Sequence, residues 1–159
     1  MSALASDNFA GAHPEIIEAI ARLSPGTALR QGIDDVIRSH GGALIVIGDP
    51  DELAFLYSGG IRIGQPFTPQ LLYELSKMDG AILLDREGSR ILRANTQLVP
   101  DPSIETSESG TRHRTAERVA IQTGFPVVSV SQSMQIIALY VGGRRHVVEG
   151  SANILSKAN

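Results

Sequence analysis

Arg112, His113 and Arg114 stand together in the run Gly110-Thr111-Arg112-His113-Arg114-Thr115-Ala116-Glu117-Arg118-Val119-Ala120. All three can carry positive charge, and the run reads as the start of a helix. Thr111 suits the N-cap, where a hydroxyl accepts a hydrogen bond from a free first-turn N–H. That end of a helix is electropositive, so each arginine opposes the dipole at roughly 0.3–1 kcal/mol. Free N–H groups, a hydroxyl and two guanidinium groups converging on one helix end describe an anion site, most simply a phosphate site. The same arginines could instead pair on the surface with Glu105, Glu108 or Glu117, and spacing leaves both arrangements open.

Two further groups could join that chemistry. Asp79 falls where a helical pattern gives way to an apolar strand pattern, and such junctions often carry functional side chains. A carboxylate there could hold Mg²⁺ or Mn²⁺, which prefer oxygen ligands and share substrate phosphates. Gly80 would let a ligand approach the backbone. The plainer alternative is a turn that favours Asp and Gly for its geometry. Ser129 and Ser131 alternate along a strand and so face one side, as phosphate contacts or as a solvated face. The stretch Gly59-Gly60-Ile61-Arg62-Ile63-Gly64 lacks the Walker spacing and its Gly-Lys-Ser/Thr end. His13, His40 and His146 have no metal-ligand spacing. No nucleophile–histidine–carboxylate grouping can be read from the chain.

The elements that must position these groups follow from the apolar pattern. Pro14 opens a short helix with Ile16, Ile17, Ile20 and Leu23 on one face. A second helix follows Ser24-Pro25-Gly26, carries Leu29, Ile33, Val36 and Ile37, and stops at Gly41-Gly42. Ala43 to Ile47 is a short, β-branched, wholly apolar run, which predicts a buried strand. Residues 52–65 are ambiguous. Thr68 caps a helix with Pro69 first and Leu71, Leu72, Leu75 and Met78 inside. Asp79-Gly80 then leads to a strand over Ala81 to Leu84, paired as a hairpin with Arg90 to Ala94. Residues 95–110 are expected to be a loop. The helix from Arg112 should end near Gly124 and a strand run from Val127 to Ser131. A last hairpin joins Gln135–Val141 to Arg144–Glu149 through Gly142-Gly143. Residues 1–12 are small and polar, and 151–157 start a helix. The pattern predicts an α/β domain, a central mixed β-sheet flanked by helices.

The 159 residues suffice for one domain with a substantial core. With 4% aromatics and no Trp, that core must be built from Ile, Leu, Val and Ala. A net charge of −3 argues against a body that binds polyanions as a whole. The absence of cysteine excludes disulfides and zinc–thiolate sites and fits a reducing cytoplasm. No apolar run approaches the ~20 residues of a membrane span, and the N-terminus has no signal pattern. A cytoplasmic protein without membrane contact is expected.

Asp79-Gly80-Ala81, the Gly110-to-Arg118 run and Ser129-Val130-Ser131 together resemble the diadenylate cyclase (DAC) domain family. Its pattern is followed nearly throughout from about Lys77 to Glu149, including Leu92-Arg93-Ala94-Asn95-Thr96-Gln97-Leu98, and weakens over residues 1–25. The resemblance implies an N-terminal extension and short helix over 1–25 and the DAC domain over 26–159. It implies a nucleotidyltransferase that condenses two ATP into cyclic di-AMP and two pyrophosphates, with two subunits face to face. Asp79 would ligand Mg²⁺ or Mn²⁺ and help to activate the 3′-hydroxyl. Gly80 would lie close to the nucleotide. Thr111, Arg112 and His113 would hold the triphosphate, supported by Arg114. Ser131 would touch phosphate, and the Leu98 backbone would help to recognise adenine. Full-length members of this type form octamers and continue into a helical linker and a helix-hairpin-helix DNA-binding domain. This sequence stops at Asn159, so an isolated catalytic module is expected, with DNA reached only through the missing domain. The competing expectation is a non-catalytic sensor that binds a nucleotide or cyclic dinucleotide at the same helix end. Asp79 separates the two, since binding alone needs no metal ligand there.

Overall fold

The computed structural model describes residues 14–48 and 50–149. In chain order its elements are α1 (Pro14–Arg22), α2 (Ala28–Arg38), β1 (Ala43–Ile47), α3 (Pro50–Leu53), β2 (Tyr57–Ser58) and β3 (Ile61–Pro66). There follow α4 (Pro69–Leu75), β4 (Ala81–Leu84), β5 (Arg90–Leu98), α5 (Thr111–Thr123), β6 (Val127–Val130), β7 (Ile136–Val141) and β8 (Arg144–Glu149). The strands make one eight-stranded sheet in the order β2-β5-β4-β1-β6-β7-β8, with β3 also on β5. β1 and β4 run parallel, with Ile45 opposite Ile82. The other pairings among the described residues are antiparallel.

The wholly apolar β1 is explained by its position at the centre of the sheet with helices on both faces. Ala43, Ile45 and Ile47 face a core shared with Ala19 of α1, Ile33, Val36 and Ile37 of α2, and Leu72 of α4. Leu44 and Val46 face the opposite core, with Leu53 of α3 and Ala116, Val119 and Ala120 of α5. A fully buried Ile or Leu contributes about 1.5–3 kcal/mol, whereas an exposed ion pair contributes about 0–1 kcal/mol. The two apolar layers, not surface charge, hold the helices to the sheet.

Thr68 caps α4 where the sequence placed it, but α2 ends at Arg38, before Gly41-Gly42, and α4 ends at Leu75, which leaves Met78 outside the helix. Thr27 and Thr68 accept hydrogen bonds from Arg30 N–H and Leu71 N–H at 3.2 and 3.1 Å. Gly124 closes α5 at φ 79°, a left-handed conformation open to glycine.

Three further expectations are corrected. Ile17 is exposed, and Ala19 is buried in its stead. At 3.6 residues per turn, Ile16, Ala19–Ile20 and Leu23 share a stripe that Ile17 leaves. The strand after the 85–88 turn does not stop at Ala94 but runs to Leu98, so 95–98 is not loop. A bulge hides this in the sequence: Ala81 pairs with Thr96 and Leu83 with Arg93, and Asn95 sits at φ 51°. The alternation therefore breaks inside a continuous strand. Lastly, β6 ends at Val130, one residue short of Ser131. The ambiguous 52–65 region supplies α3, β2 and edge strand β3. The expectations for residues 1–12 and 151–157 lie outside the described residues.

Candidate functional site

At the start of α5 the N-cap is Gly110, at φ −84° and ψ 143°, and not Thr111 as the sequence suggested. The Gly110 carbonyl accepts the Arg114 N–H at 2.9 Å, which makes Thr111 the first helical residue. The Thr111 hydroxyl is thus left outside the capping scheme, exposed beside the first-turn N–H groups, which have no partner within the helix.

These groups open onto a cleft of about 810 Å³ at one end of the sheet. Its walls come from five segments: Gly42–Leu44 entering β1, Ser76 and Met78–Ile82 entering β4, Thr96–Leu98 ending β5, the start of α5, and Ser131–Ser133 beyond β6. Asp79, Gly80, Leu98, Thr111, Arg112, His113 and Ser131 all line it. Arg114 does not; its backbone closes the first turn and its side chain is exposed. Ser129 is fully buried with an unpartnered hydroxyl and also stays off the cleft wall.

The fold explains why these side chains point where they do. Asp79 is exposed at the turn between α4 and β4. Gly80 holds φ +91°, and a Cβ there would lie 2.8 Å from the backbone of Asn95 and Thr96. The β5 backbone therefore requires this glycine before any ligand is considered. Gly80→Ala is expected to destabilise the protein by about 1–3 kcal/mol, read as a lower midpoint in urea unfolding. Gly42 has a different neighbour: a Cβ there would fall 2.8 Å from Arg112 Cζ. The bare backbone at the entrance to β1 is what lets the Arg112 guanidinium lie across it. Ser131 is 7% exposed and its Oγ accepts the Met134 N–H at 3.1 Å, which fixes the loop beyond β6.

The alternative of surface pairing is not what this helix start makes. Neither Arg112 nor Arg114 forms an ion pair with the described residues. Glu108 is engaged elsewhere, by Arg145 Nε at 3.0 Å and by Tyr140 Oη at 2.6 Å. One Oε of Glu117 is buried without a hydrogen-bond partner. The cleft thus presents an uncommitted guanidinium and free helix N–H groups on one wall and an uncommitted carboxylate on another. His113 is held below the usual histidine range, chiefly by burial, with Arg145 and Arg112 acting in the same direction and Glu108 against them. Tyr140 is pushed upward by burial and by Glu108.

Among the described residues no three His, Cys, Asp or Glu side chains gather closely enough to cage a metal ion. Asp79 alone suits a hard cation that keeps its waters and shares ligand phosphates, as Mg²⁺ does. Residues assigned no role in the site from the sequence also reach the cleft: His40, Gln97 and Gln132. His40 carried the one visible signal, a histidine at the Gly41-Gly42 stop, and it adopts φ 60° and meets Gln135 at 3.1 Å.

A family model described as "DisA bacterial checkpoint controller nucleotide-binding" (DAC) matches residues 30–145. The chain belongs to the diadenylate cyclase (DAC) domain family. All the cleft residues named from the sequence fall inside that span. This DAC domain is 60% identical over 142 residues to the DNA integrity scanning protein DisA of Kineococcus radiotolerans, covering 89% of this chain and 40% of that one. It is 52% identical over 149 residues to the DisA protein of Acidothermus cellulolyticus, covering 94% and 40%. The chain thus spans about two-fifths of the length of these curated relatives. Two solved structures share the fold. One is a double cysteine mutant of DacA from Staphylococcus aureus, with TM-score 0.62, 24% identity, and 82% and 89% of the two chains covered. The other is a hypothetical membrane spanning protein from Bacillus cereus, with TM-score 0.67, 24% identity, and 77% and 62% covered. In this DAC domain no helix among the described residues is long and apolar enough to cross a membrane.

Proposed function

We propose that this DAC domain condenses two ATP molecules into cyclic di-AMP and two pyrophosphates. The observation that carries the reading is the pairing of the uncommitted Asp79 carboxylate with the uncommitted Arg112 and open start of α5 across one cleft. Family membership supports it. Thr111, Arg112 and His113 hold the triphosphate, as backbone N–H groups and a guanidinium suit phosphate oxygens. Arg114, exposed beside them, adds positive potential from outside the cleft. Ser131 meets phosphate, Gly80 brings backbone close to the nucleotide, and the Leu98 backbone reads adenine. Asp79 is the ligand for Mg²⁺ or Mn²⁺, which when bound would neutralise phosphate charge and make the nearby hydroxyl more acidic.

Each 3′-hydroxyl oxygen bonds to the α-phosphorus of the other ATP as the bond to the bridging oxygen breaks and pyrophosphate leaves. The hydroxyl proton passes to the Asp79 carboxylate, which is exposed and can release it to solvent. One cleft has one such carboxylate and one cradle, so two copies must face each other. Catalysis then rests on positioning and charge neutralisation. Incubation with ATP and Mg²⁺ or Mn²⁺, followed by chromatography, is expected to yield a cyclic dinucleotide. Tight binding of ATP or cyclic di-AMP without turnover under either metal would overturn this in favour of a sensor.

Arg112→Ala separates the phosphate role from a structural one. Arg112 opposes the helix dipole and has no ion pair with the described residues, so the free variant's stability should stay within about 0.5 kcal/mol of wild type, or slightly above it. ATP affinity should fall by roughly tenfold or more, as for loss of a charge-assisted hydrogen bond. Calorimetric titration and thermal melts read the two quantities.

A further inference from the structure

His113 has two ring nitrogens, and the groups behind the cleft decide which one a ligand meets. Tyr140 on β7 and Arg145 on β8 lie directly opposite each other in the sheet. Both reach Glu108, whose side chain is 14% exposed. Tyr140 Oη donates to Glu108 Oε1 at 2.6 Å, a charge-assisted bond to a carboxylate that Arg145 Nε also holds at 3.0 Å. The phenol proton is therefore committed to Glu108. Tyr140 Oη also lies 3.4 Å from His113 Nδ1, and towards the ring it can present only a lone pair. A bare Nδ1 would set lone pair against lone pair, so Nδ1 carries the proton. In the neutral ring Nε2 is then bare.

The charged and titratable groups around the ring are Glu108 from the preceding loop, Tyr140 from β7, Arg145 from β8 and Arg112 from its own helix. Burial, Arg145 and Arg112 disfavour the imidazolium, and Glu108 alone favours it. The ring edge at Cδ2 passes close to Gly110, where a Cβ would stand 3.3 Å away.

We propose that Tyr140 and Glu108 form a positioning pair that fixes His113 as its Nδ1–H tautomer, so that seating a triphosphate against Nε2 takes up a proton. This rests on the reading that the cleft binds a nucleoside triphosphate. A bare Nε2 and a phosphate oxygen are both acceptors and repel. A proton drawn from solvent forms an N–H bond at Nε2 and turns the contact into a donor–acceptor pair. The proton leaves the buffer acid, whose conjugate base remains in solution, and the triphosphate's own charge balances the new cation.

Nitrogen NMR of the histidine-labelled, nucleotide-free protein reads the tautomer directly, and Nδ1–H is expected. Proton uptake is read by titrating 3′-deoxy-ATP with Mg²⁺ at pH 8 in two buffers of different ionisation heat. That nucleotide lacks the attacking hydroxyl, so binding is seen without turnover. Wild type should take up more protons than His113→Gln. Tyr140→Phe should lose most of that excess, because the ring can then rest as the Nε2–H form and donate while neutral. A purely structural Tyr140 would lower the melting temperature and leave the tautomer unmoved. Should Tyr140→Phe fold poorly, Glu108→Gln carries the test. It should weaken binding roughly three- to tenfold at pH 8, and much less at pH 6, for a pKa change of up to one unit. An Nε2–H tautomer in the free protein, or equal proton uptake by wild type and His113→Gln, would overturn the proposal. Failure of any nucleotide to bind would instead overturn the reading of the cleft, and the proton uptake with it. The tautomer is decided separately by the spectrum of the free protein.

Discussion

Asp79→Asn is expected to lower cyclic di-AMP synthesis by on the order of a thousandfold, equivalent to about 4 kcal/mol of transition-state stabilisation. The side chain is exposed at the turn before β4 and forms no ion pair with the described residues. Removing its charge therefore disturbs no native contact, and the unfolding free energy should stay within about 0.5 kcal/mol of wild type. The amide keeps the shape and a carbonyl oxygen, so a turn-forming role for Asp79 would survive the change. Metal dependence makes the measurement specific. Wild type should saturate with Mg²⁺ or Mn²⁺ at a concentration the variant cannot match. Near wild-type synthesis with the same metal dependence would remove Asp79 from the metal's ligands.

The contrast between Asp79 and its neighbour shows what the chain revealed before its fold was known. Asp79-Gly80 was legible as a turn, and the carboxylate as a candidate ligand, because both follow from local patterning. The reason for the glycine was not legible. It lies in the Asn95–Thr96 backbone on another strand, a tertiary contact that no local window contains. The helix at Arg112 was placed by its composition, yet its cap shifted to Gly110 because a carbonyl rather than a hydroxyl opens the first turn. Whether the arginines were paired depended on Glu108, and Glu108 is claimed by Tyr140 and Arg145 from distant β7 and β8. β1 and β4 were readable because each is a short apolar run buried on both faces, and β6 because a single serine interrupts such a run. The end of β5 was not, since its bulge at Asn95 resets the alternation that sequence reading relies on. His40 and Gln132 reach the cleft only because α2 and the loop beyond β6 end at the same edge of the sheet. Local chemistry was thus visible in the sequence, and the partners that commit or free each group were not.

Mixing inactive chains into active ones is expected to depress activity more than dilution does, because the proposed reaction needs two clefts. Each product contains two new phosphodiester bonds, and each bond joins the hydroxyl of one ATP to the phosphorus of the other. A cleft of about 810 Å³ with one Asp79 and one helix-end cradle is of a size for one nucleotide. A chain carrying Asp79→Asn keeps its cradle and so still pairs and still seats ATP. At a 1:1 ratio with free exchange and random pairing, only about a quarter of pairs are wild type on both sides. If one intact metal site per pair is not enough, activity per wild-type chain should fall to about half, by the same mass action that governs any subunit equilibrium. Exchange is verified first with differently labelled chains and energy transfer between them. Arg112→Ala in place of Asp79→Asn should poison as strongly at limiting ATP, since an empty face leaves its partner's nucleotide without a second one, and less at ATP high enough to refill the weakened cradle, since that chain keeps its Asp79. With exchange verified, activity that stayed proportional to the number of wild-type chains would mean that each cleft completes the reaction alone, and the face-to-face mechanism would be wrong for this protein.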